Sequence, residues 1–386
     1  MVLISRRQFL QYAAATSYCA ALASCGSSGR MGAGTTGLAP PPAMSIDALL
    51  SDTQLRTFRY FWETTEAARG LAPDLAPEAA PASIAAMGFA LTAIPIGVEH
   101  GWITRAQGVE RVLNTLVFLR DAPQGGGTTG VSGHHGFFYH FLEMSSGTRY
   151  RDSELSSVDT ALLMMGVRTC VQYFTGGDGN ETSVRTIGDA LCERVEWRWF
   201  QNGTAGINFG WRPETGFMAD NWRGYNEAIP IFLLALGSSA NAVDPAAWAD
   251  WTSTYPQSWG TLQGVEHLYD DGTLTPVAPI ASLPFAPELA KPAVAAMYQR
   301  YGAAIYGQYG FLDSYNPSFQ YSVPLVSGRL VNGLGWVDTR YYGINQGPIV
   351  AMIENQRSEL LWRLSRTDPV LRRGLTRTGF TGGWLA

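Results

Sequence analysis

Segments with helical periodicity follow one another along most of this chain, and they are far easier to find than strands. Apolar residues recur every three or four positions in eight segments: 46–65, 82–98, 105–120, 157–174, 182–199, 227–236, 286–307 and 348–364. Long connections rich in glycine and aromatic residues separate several of them, and such loops in a compact domain usually have a function. Helical hairpins with elaborate loops at one end predict an all-α fold, an (α/α)6 toroid of inner and outer helices. Six hairpins need twelve helices, so we expect further short helices, mainly between residues 238 and 283.

The composition is typical of one large globular domain, which we assign to residues 46–386. The chain has 386 residues, of which 46% are hydrophobic and 15% charged, enough to bury a large core. A net charge of -5 argues against a nucleic-acid partner, because phosphates require clustered Lys and Arg. Neither a metal nor an organic cofactor is expected, since His134 and His135 are adjacent and His140 lies among large apolar residues, as structural histidines do. We expect a monomer.

The amino terminus has the form of an export signal. Residues 5–10, SRRQFL, resemble a twin-arginine motif, and the apolar stretch that follows is too short to span a bilayer. Leu22-Ala23-Ser24-Cys25 has the form of a lipoprotein cleavage box, which predicts a signal peptide at 1–25 and a lipid on Cys25. The alternative is an ordinary signal peptide that happens to contain this cysteine. Residues 26–45, rich in Gly, Ser and Pro, predict a flexible tether, and Gly26 favours the periplasmic side of the outer membrane.

Two cysteines remain in the predicted domain, Cys170 and Cys192, in what look like consecutive helices. A disulfide between them is possible in an oxidising compartment, and two buried thiols are the alternative.

Residues 136–166 combine aromatic side chains with carboxylates, which suggests sugar chemistry. Aromatic rings stack on the C–H faces of pyranoses, and a glycosidase needs two carboxyl groups. Glu154 stands two residues before a predicted helix cap, Ser156, so the start of the helix would hold it rigidly at the mouth of a cleft. Asp159 is either the acid of a capping box with Ser156 or a second functional carboxylate. Two carboxylates at one site would shift each other's titration.

Glu227 is a third candidate acid. It lies at the predicted start of an apolar helix, after Asn226 as the expected cap, where the helix dipole favours the ionised carboxylate. Burial beside Trp222 and Tyr225 would favour the protonated form that a general acid needs. The alternative is a glutamate that only stabilises the helix end.

Several polar and aromatic residues in the loops are candidate sugar contacts. Amide side chains can bridge vicinal hydroxyl groups with one donor and one acceptor. The alternative is that these amide side chains stabilise turns, and we favour this interpretation for Asn316. Arginines beside aromatic residues, at 212, 223 and 340, are candidates for pairing with the acids. The predicted substrate-binding set is Trp222, Arg223, Tyr225, Tyr315, Asn316, Asn345 and Gln346.

Four motifs in order resemble the bacterial glucoamylase-like domain, whose members include the endo-β-1,2-glucanases of glycoside hydrolase family 144. They are SELSSVDTALL at 153–163, GYNEA at 224–228, YGFLDSYNP at 309–317 and GPIVAMIEN at 347–355. The resemblance covers most of the chain after about residue 52, including GLAPD at 70–74 and the helix start at 83–85.

The resemblance implies an inverting hydrolase of β-1,2-glucan. Glu227 would protonate the glycosidic oxygen, and either Glu154 or Asp159 would activate water, the two sides lying about 6.5–9.5 Å apart. The chain departs from the family pattern at Asn345, where the motif usually has aspartate. Two alternatives are a non-catalytic lipoprotein that captures oligosaccharides in the same cleft, and a hydrolase of a different or cyclic glucan.

Overall fold

The computed structural model describes residues 41–224, 226–253, 272–319 and 321–385. These residues form twelve α-helices: α1 (Ile46–Thr64), α2 (Ile84–Glu99), α3 (Arg105–Asp121), α4 (Ser157–Tyr173), α5 (Gly179–Glu193), α6 (Ile229–Gly237), α7 (Ala246–Thr252), α8 (Val277–Ala281), α9 (Pro287–Ile305), α10 (Gly343–Ser358), α11 (Leu360–Thr367) and α12 (Pro369–Arg377). The predicted signal peptide with Cys25, most of the predicted tether, and Tyr225 lie outside the described residues.

Short strands, paired only into two- and three-stranded antiparallel sheets, connect the helices. They are β1 (Leu75–Ala76), β2 (Ala82–Ser83), β3 (Gly133–His134), β4 (Phe137–Phe138), β5 (Phe141–Leu142), β6 (Leu155–Ser156), β7 (Gly210–Arg212), β8 (Gly216–Phe217), β9 (Tyr306–Gly307), β10 (Gly310–Phe311), β11 (Tyr315–Asn316), β12 (Arg329–Val331), β13 (Gly335–Val337) and β14 (Tyr341–Tyr342). The strand pairs are β1–β14, β2–β5, β3–β4 and β9–β10, with triplets β6–β7–β8 and β11–β13–β12.

All eight predicted helices exist, and side-chain caps explain several of their starts. Ser45 caps α1 and Ser83 caps α2, each by accepting a hydrogen bond from a backbone N–H in the first turn. Thr104 and Gln107 form a reciprocal capping box at the start of α3. Short helices α7 and α8 lie in the region 238–283, as expected.

Two predicted boundaries are wrong for identifiable reasons. Helix α5 begins at Gly179 because Asp178 accepts hydrogen bonds from two backbone N–H groups, and it ends at Glu193 rather than near residue 199. Beyond it, Val195 and Trp197 are buried two positions apart, which is not a helical spacing. The segment predicted as one helix at 348–364 starts earlier, at Gly343, and breaks at Glu359, whose φ of 56° is left-handed.

The helices form two layers, as an α/α toroid requires. Helix α2 buries 12 of its 16 residues, whereas α3 buries 6 of 17 along one face, so α2 is surrounded and α3 faces solvent. Helices α8, α10, α2, α4, α6 and α12 contact one another in that order, while α1, α3 and α5 pack against them. The predicted fold class is confirmed.

Glycines allow the inner helices to touch backbone to backbone. A Cβ at Gly166 of α4 would lie 2.1 Å from the carbonyl oxygen of Gly88 in α2, and a Cβ at Gly88 would lie 2.4 Å from that of Leu162. On the other side of α2, a Cβ at Gly347 of α10 would overlap the ring of Phe89, 2.0 Å away. Helices α2 and α4 therefore approach more closely than any side chain would allow, and Gly347 lets α10 pack directly on the ring of Phe89.

A buried ion pair ties α4 to the carboxy-terminal helices. Arg168 donates from Nε to Asp368 at 2.7 Å, and it also pairs with Asp189 of α5. Asp368 is 1% exposed and caps α12 through the backbone N–H groups of Val370 and Leu371. One carboxylate thus begins α12 and fixes it against α4.

The two cysteines are buried free thiols, so the thiol alternative is correct. Burial raises the pKa of Cys192 to about 12 and that of Cys170 further still, which leaves both thiols protonated and unreactive. Across the described ranges, no helix combines the length and apolar character needed to cross a membrane.

We expect Gly166→Ala to lower the free energy of unfolding by about 1–3 kcal/mol, because its methyl group must displace the backbone of α2. Urea denaturation of the purified domain would measure this. The matched control is Gly179→Ala, at an exposed helix position with nothing within 4 Å of the new Cβ. Equal stability of the two variants would show that the close contact between α2 and α4 does not constrain the fold.

Candidate functional site

The amino-terminal ends of α2, α4 and α10 share one end of the toroid, which we call the loop end. Short strands β2, β6 and β14 lead directly into α2, α4 and α10. Backbone bonds link these starts in sequence around the ring: Gly343 N donates to Asp74 O at 2.9 Å, Ser83 N to Ala72 O at 2.9 Å, and Ile84 N to His140 O at 3.2 Å. Helix dipoles therefore converge on the loop end, where they favour carboxylates.

Glu154 lies at the loop end, immediately before β6, and is 7% exposed. Its Oε1 is 3.2 Å from Nδ1 of His140, and its Oε2 is 3.5 Å from Nη2 of Arg212. The register of β6 with β7, Leu155 opposite Trp211, explains the second contact, because it brings residues 154 and 212 to the same edge. Gly210 leaves room for the acid, since a Cβ there would lie 2.8 Å from Cγ of Glu154. Glu154 is thus a held, nearly buried acid rather than a solvated loop residue.

Asp159 lies in the first turn of α4 and takes part in the cap of that helix. Its backbone N–H donates to Ser156 Oγ at 3.2 Å, which is the expected cap. Its carboxylate accepts a short hydrogen bond from the same hydroxyl group, and Oδ2 is 3.6 Å from Nε2 of His140. The aspartate is 3% exposed, so it takes part in the cap and also faces Glu154 across a shared histidine.

His140 was interpreted from sequence as a structural histidine, and the structure places it between the two acids instead. Its ring stacks on Phe141 with centroids 3.9 Å apart, and its side chain is 19% exposed, more than either carboxylate. No local sequence signal marks this position, because Phe137, Phe138 and Tyr139 before it are all fully buried and show no alternation.

Arg149 and Glu214 were missed by sequence reasoning, and together they hold the loops around Glu154. The Arg149 side chain is 1% exposed; Nε donates to Ser153 O at 2.7 Å, and its two terminal nitrogens pair with Glu214 at 2.6 and 3.0 Å. The guanidinium holds the pKa of the Glu214 carboxyl below its usual value. Glu214 lies in the turn of the β7–β8 hairpin, so this clamp fixes Arg212 against the segment that carries Glu154.

Glu227 occupies the turn before α6. The sequence had predicted that it lies in the first turn of the helix. The helix begins at Ile229, with a proline at its second position that has no N–H to be capped. Asn226 Oδ1 instead accepts from Ala228 N at 3.1 Å and from Trp251 Nε1 at 3.2 Å. Glu227 is half-buried. Trp222, five residues before Glu227 in the chain, reaches the start of α4 through its indole.

Two predicted aromatic sugar contacts are wrong. Trp222 is 1% exposed; its ring packs 4.2 Å from that of Phe209, and its Nε1 donates to Ser157 Oγ at 2.9 Å. Tyr315 is 2% exposed and packs against Tyr301, 4.9 Å between ring centroids. Both rings are part of the core, so neither offers a face to a sugar.

The predicted amide contacts divide into buried and accessible residues. Asn316 is 5% exposed and accepts from Ser318 N at 3.0 Å, so the turn interpretation is confirmed and the substrate contact is wrong. Gln346 is 1% exposed and donates to Phe311 O at 2.9 Å, which also excludes it from the cleft. Asn345 is partly exposed and donates to the Asp313 carboxylate, an acid that we did not single out. Residues 343–348 form the first turns of α10, so Asn345 and Gln346 lie in a helix.

The three candidate arginines have different partners. Arg212 faces Glu154, as predicted for one of these residues. Arg340 makes a bidentate pair with Asp338 at 2.7 and 2.8 Å. Arg223, with 59% of its side chain exposed, lies 3.5 Å from Asp250. Within the described ranges, no group of three or more His, Cys, Asp or Glu side chains has the geometry to hold a metal ion.

Comparison with known proteins supports the resemblance seen in the motifs. Residues 264–369 match the Glycoamylase family model, described as "Putative glucoamylase". A curated relative from Parabacteroides distasonis, an exo β-1,2-glucooligosaccharide sophorohydrolase acting at the non-reducing end, is 23% identical over 86% of this chain. The chain spans 58% of the length of that relative.

Solved structures share the fold over nearly the whole chain. A protein of Bacteroides uniformis described as a putative glucoamylase has a TM-score of 0.74 and 25% identity, covering 90% of this chain and all of that one. An endo-β-1,2-glucanase from Chitinophaga pinensis, solved with sophorotriose and glucose, has a TM-score of 0.75 and 22% identity, covering 89% of this chain and all of that one. The chain is therefore similar to helical toroids among which β-1,2-glucan hydrolases occur, as the motifs predicted.

Proposed function

We propose that this protein is a glycoside hydrolase that cleaves β-1,2-glucan with inversion and releases sophoro-oligosaccharides as an endo-enzyme. One observation carries the proposal: two nearly buried carboxylates, Glu154 and Asp159, meet on one histidine at the loop end of an α/α toroid. Groups this costly to bury are usually retained for function. The activities of the relatives from P. distasonis and C. pinensis supply the substrate.

In this proposal Glu227 is the general acid. The glycosidic C–O bond breaks as the leaving oxygen takes the proton of Glu227, and a water oxygen bonds to the anomeric carbon from the opposite face. Half-burial favours the protonated carboxyl that this step needs.

Glu154 is our choice for the base that accepts the proton of the attacking water. Its Oε2 faces Arg212, whose side chain is 36% exposed, so this edge of the acid borders solvent. Asp159 is more deeply buried, and its carboxylate is engaged by the Ser156 hydroxyl group. In this assignment Asp159 orients Glu154, and Glu154 accepts the proton of the attacking water. One proton leaves Glu227 and one arrives at Glu154, and exchange with solvent restores both.

We further propose that the protein is exported by the twin-arginine route and anchored by a lipid on Cys25, on the periplasmic side of the outer membrane. The SRRQFL motif and the LASC box support this, because they occur in the order that a lipoprotein signal requires. The lipid is the proposed membrane contact, and a monomer the proposed state.

Linear β-1,2-glucan incubated with residues 41–386 should give short β-1,2-linked oligosaccharides, seen by mass spectrometry. Proton NMR at early times should show the α-anomer, because inversion at a β-linkage yields α. β-1,3-, β-1,4- and α-1,4-glucans serve as controls. Release of disaccharide alone from chain ends would replace endo by exo action, cleavage of another glucan would change the substrate, and binding of glucans without cleavage would favour the capture protein.

Glu227→Gln should lower kcat by about 10²-fold or more while leaving oligosaccharide affinity largely intact, because it removes the proton but keeps the shape. Steady-state kinetics and calorimetric titration with a β-1,2 oligosaccharide would measure the two effects. The matched control is Glu196→Gln, the same chemical change at an exposed residue paired with His135. Near-normal turnover by Glu227→Gln would remove this residue from the acid role.

Cys25→Ala should move the protein from the membrane to the soluble fraction of cells, because the thiol that carries the lipid is lost. Fractionation and immunoblotting would measure the change, with Cys192→Ala as a control for loss of an unrelated thiol. Continued membrane association of a correctly cleaved Cys25→Ala protein would refute lipid anchoring.

A further inference from the structure

The imidazole of His140 lies between two carboxylates, one at each ring nitrogen. Nδ1 is 3.2 Å from Oε1 of Glu154, and Nε2 is 3.6 Å from Oδ2 of Asp159. A neutral imidazole has one N–H and one lone pair, so in either tautomer its lone pair would face a carboxylate oxygen. Only the imidazolium, with two N–H groups, is attracted to both acids.

Charge balance leads to the same conclusion. Charged side chains face this cluster from three elements: Glu154 before β6, Asp159 from α4 and Arg212 from β7. The two carboxylates are 7% and 3% exposed, and burial penalises ionised carboxylates unless positive charge lies close to them. A protonated His140 places such a charge between the two acids.

We propose that His140 is a positioning residue that bridges Glu154 and Asp159 as a shared imidazolium and thereby sets the alkaline limit of activity. This inference rests on the proposed hydrolase function and adds to it a role for His140, which is not one of the three candidate acids. Because both ring nitrogens are directed at carboxylates, His140 does not take a proton from water. His140 instead keeps Glu154 ionised and oriented toward the substrate.

The pH dependence follows from the sign of this interaction. Two neighbouring carboxylates favour the charged form of histidine, so its titration moves above the ordinary value of about 6.5. The bridge is therefore complete below that value and is lost as the pH rises through the shifted one. Above it, the two acids repel each other across a neutral ring, and Glu154 leaves its working position.

The first test is an NMR titration of the histidine ring signals of the full domain, residues 41–386, with the His140 signal identified by its loss in His140→Gln. We expect a midpoint above the ordinary value of about 6.5 and a lower midpoint in both Glu154→Gln and Asp159→Asn. A midpoint at or below the ordinary value in the unsubstituted domain would overturn the proposal. This measurement needs no substrate, so it decides the charge of His140 even if no glucan is cleaved.

The second test is the pH profile of kcat and KM on the substrate found by product analysis. His140→Gln keeps a hydrogen-bond donor but removes the charge, and we expect kcat to fall about tenfold or more, KM to change little, and the alkaline limb to shift. The matched control, His135→Gln, alters a histidine paired with Glu196 and should keep the original profile. An unchanged kcat and alkaline limb in His140→Gln would overturn the proposal, and if this variant does not fold, the titrations of the two acid variants decide.

Discussion

The close backbone contact between inner helices is the constraint on which the rest of the structure depends. At Gly88 and Gly166 there is no room for a side chain between α2 and α4, and Gly347 lets α10 approach α2 from the other side. These contacts fix the axial position of three helices relative to one another. Because short strands lead directly into each helix, the same contacts fix the starts of the helices at one end. The acids that precede or begin these helices are thereby brought within a few ångströms of each other.

Burying several charged side chains at the loop end costs desolvation free energy, and nearby hydrogen bonds and opposite charges offset this cost. Asp159 gains the Ser156 hydroxyl and the helix start, Glu154 gains Arg212 on one side, and His140 lies between them. Each compensating group comes from a different segment, so the cluster exists only in the folded state. These contacts connect the site residues, and the described residues contain neither a metal-binding group nor a disulfide.

Sequence patterns predicted the helices, the toroid and the acid segments, because periodicity and capping are local properties. Ser156 and Asp159 could be identified from their spacing alone. The errors concern tertiary contacts. The sequence predicted a sugar contact for Trp222 because it is close to Glu227 in the chain, yet its indole packs into the core. Gln346 was also predicted to contact sugar, but it is buried and its amide donates to the backbone of β10. Nothing local to His140 indicates the two acids, which approach it from residues 14 and 19 positions further along the chain.

The Arg149–Glu214 clamp has a consequence for how such a site can diverge. It fastens the β7–β8 hairpin beside Glu154 by a single bidentate pair at the turn, while the acids themselves sit on segments next to helix starts. Loops elsewhere on this end can therefore lengthen, shorten or change composition without moving the reacting groups. Proteins built on this scaffold could come to bind a different glycan through changes in these loops alone, while the acid cluster at the loop end stays the same.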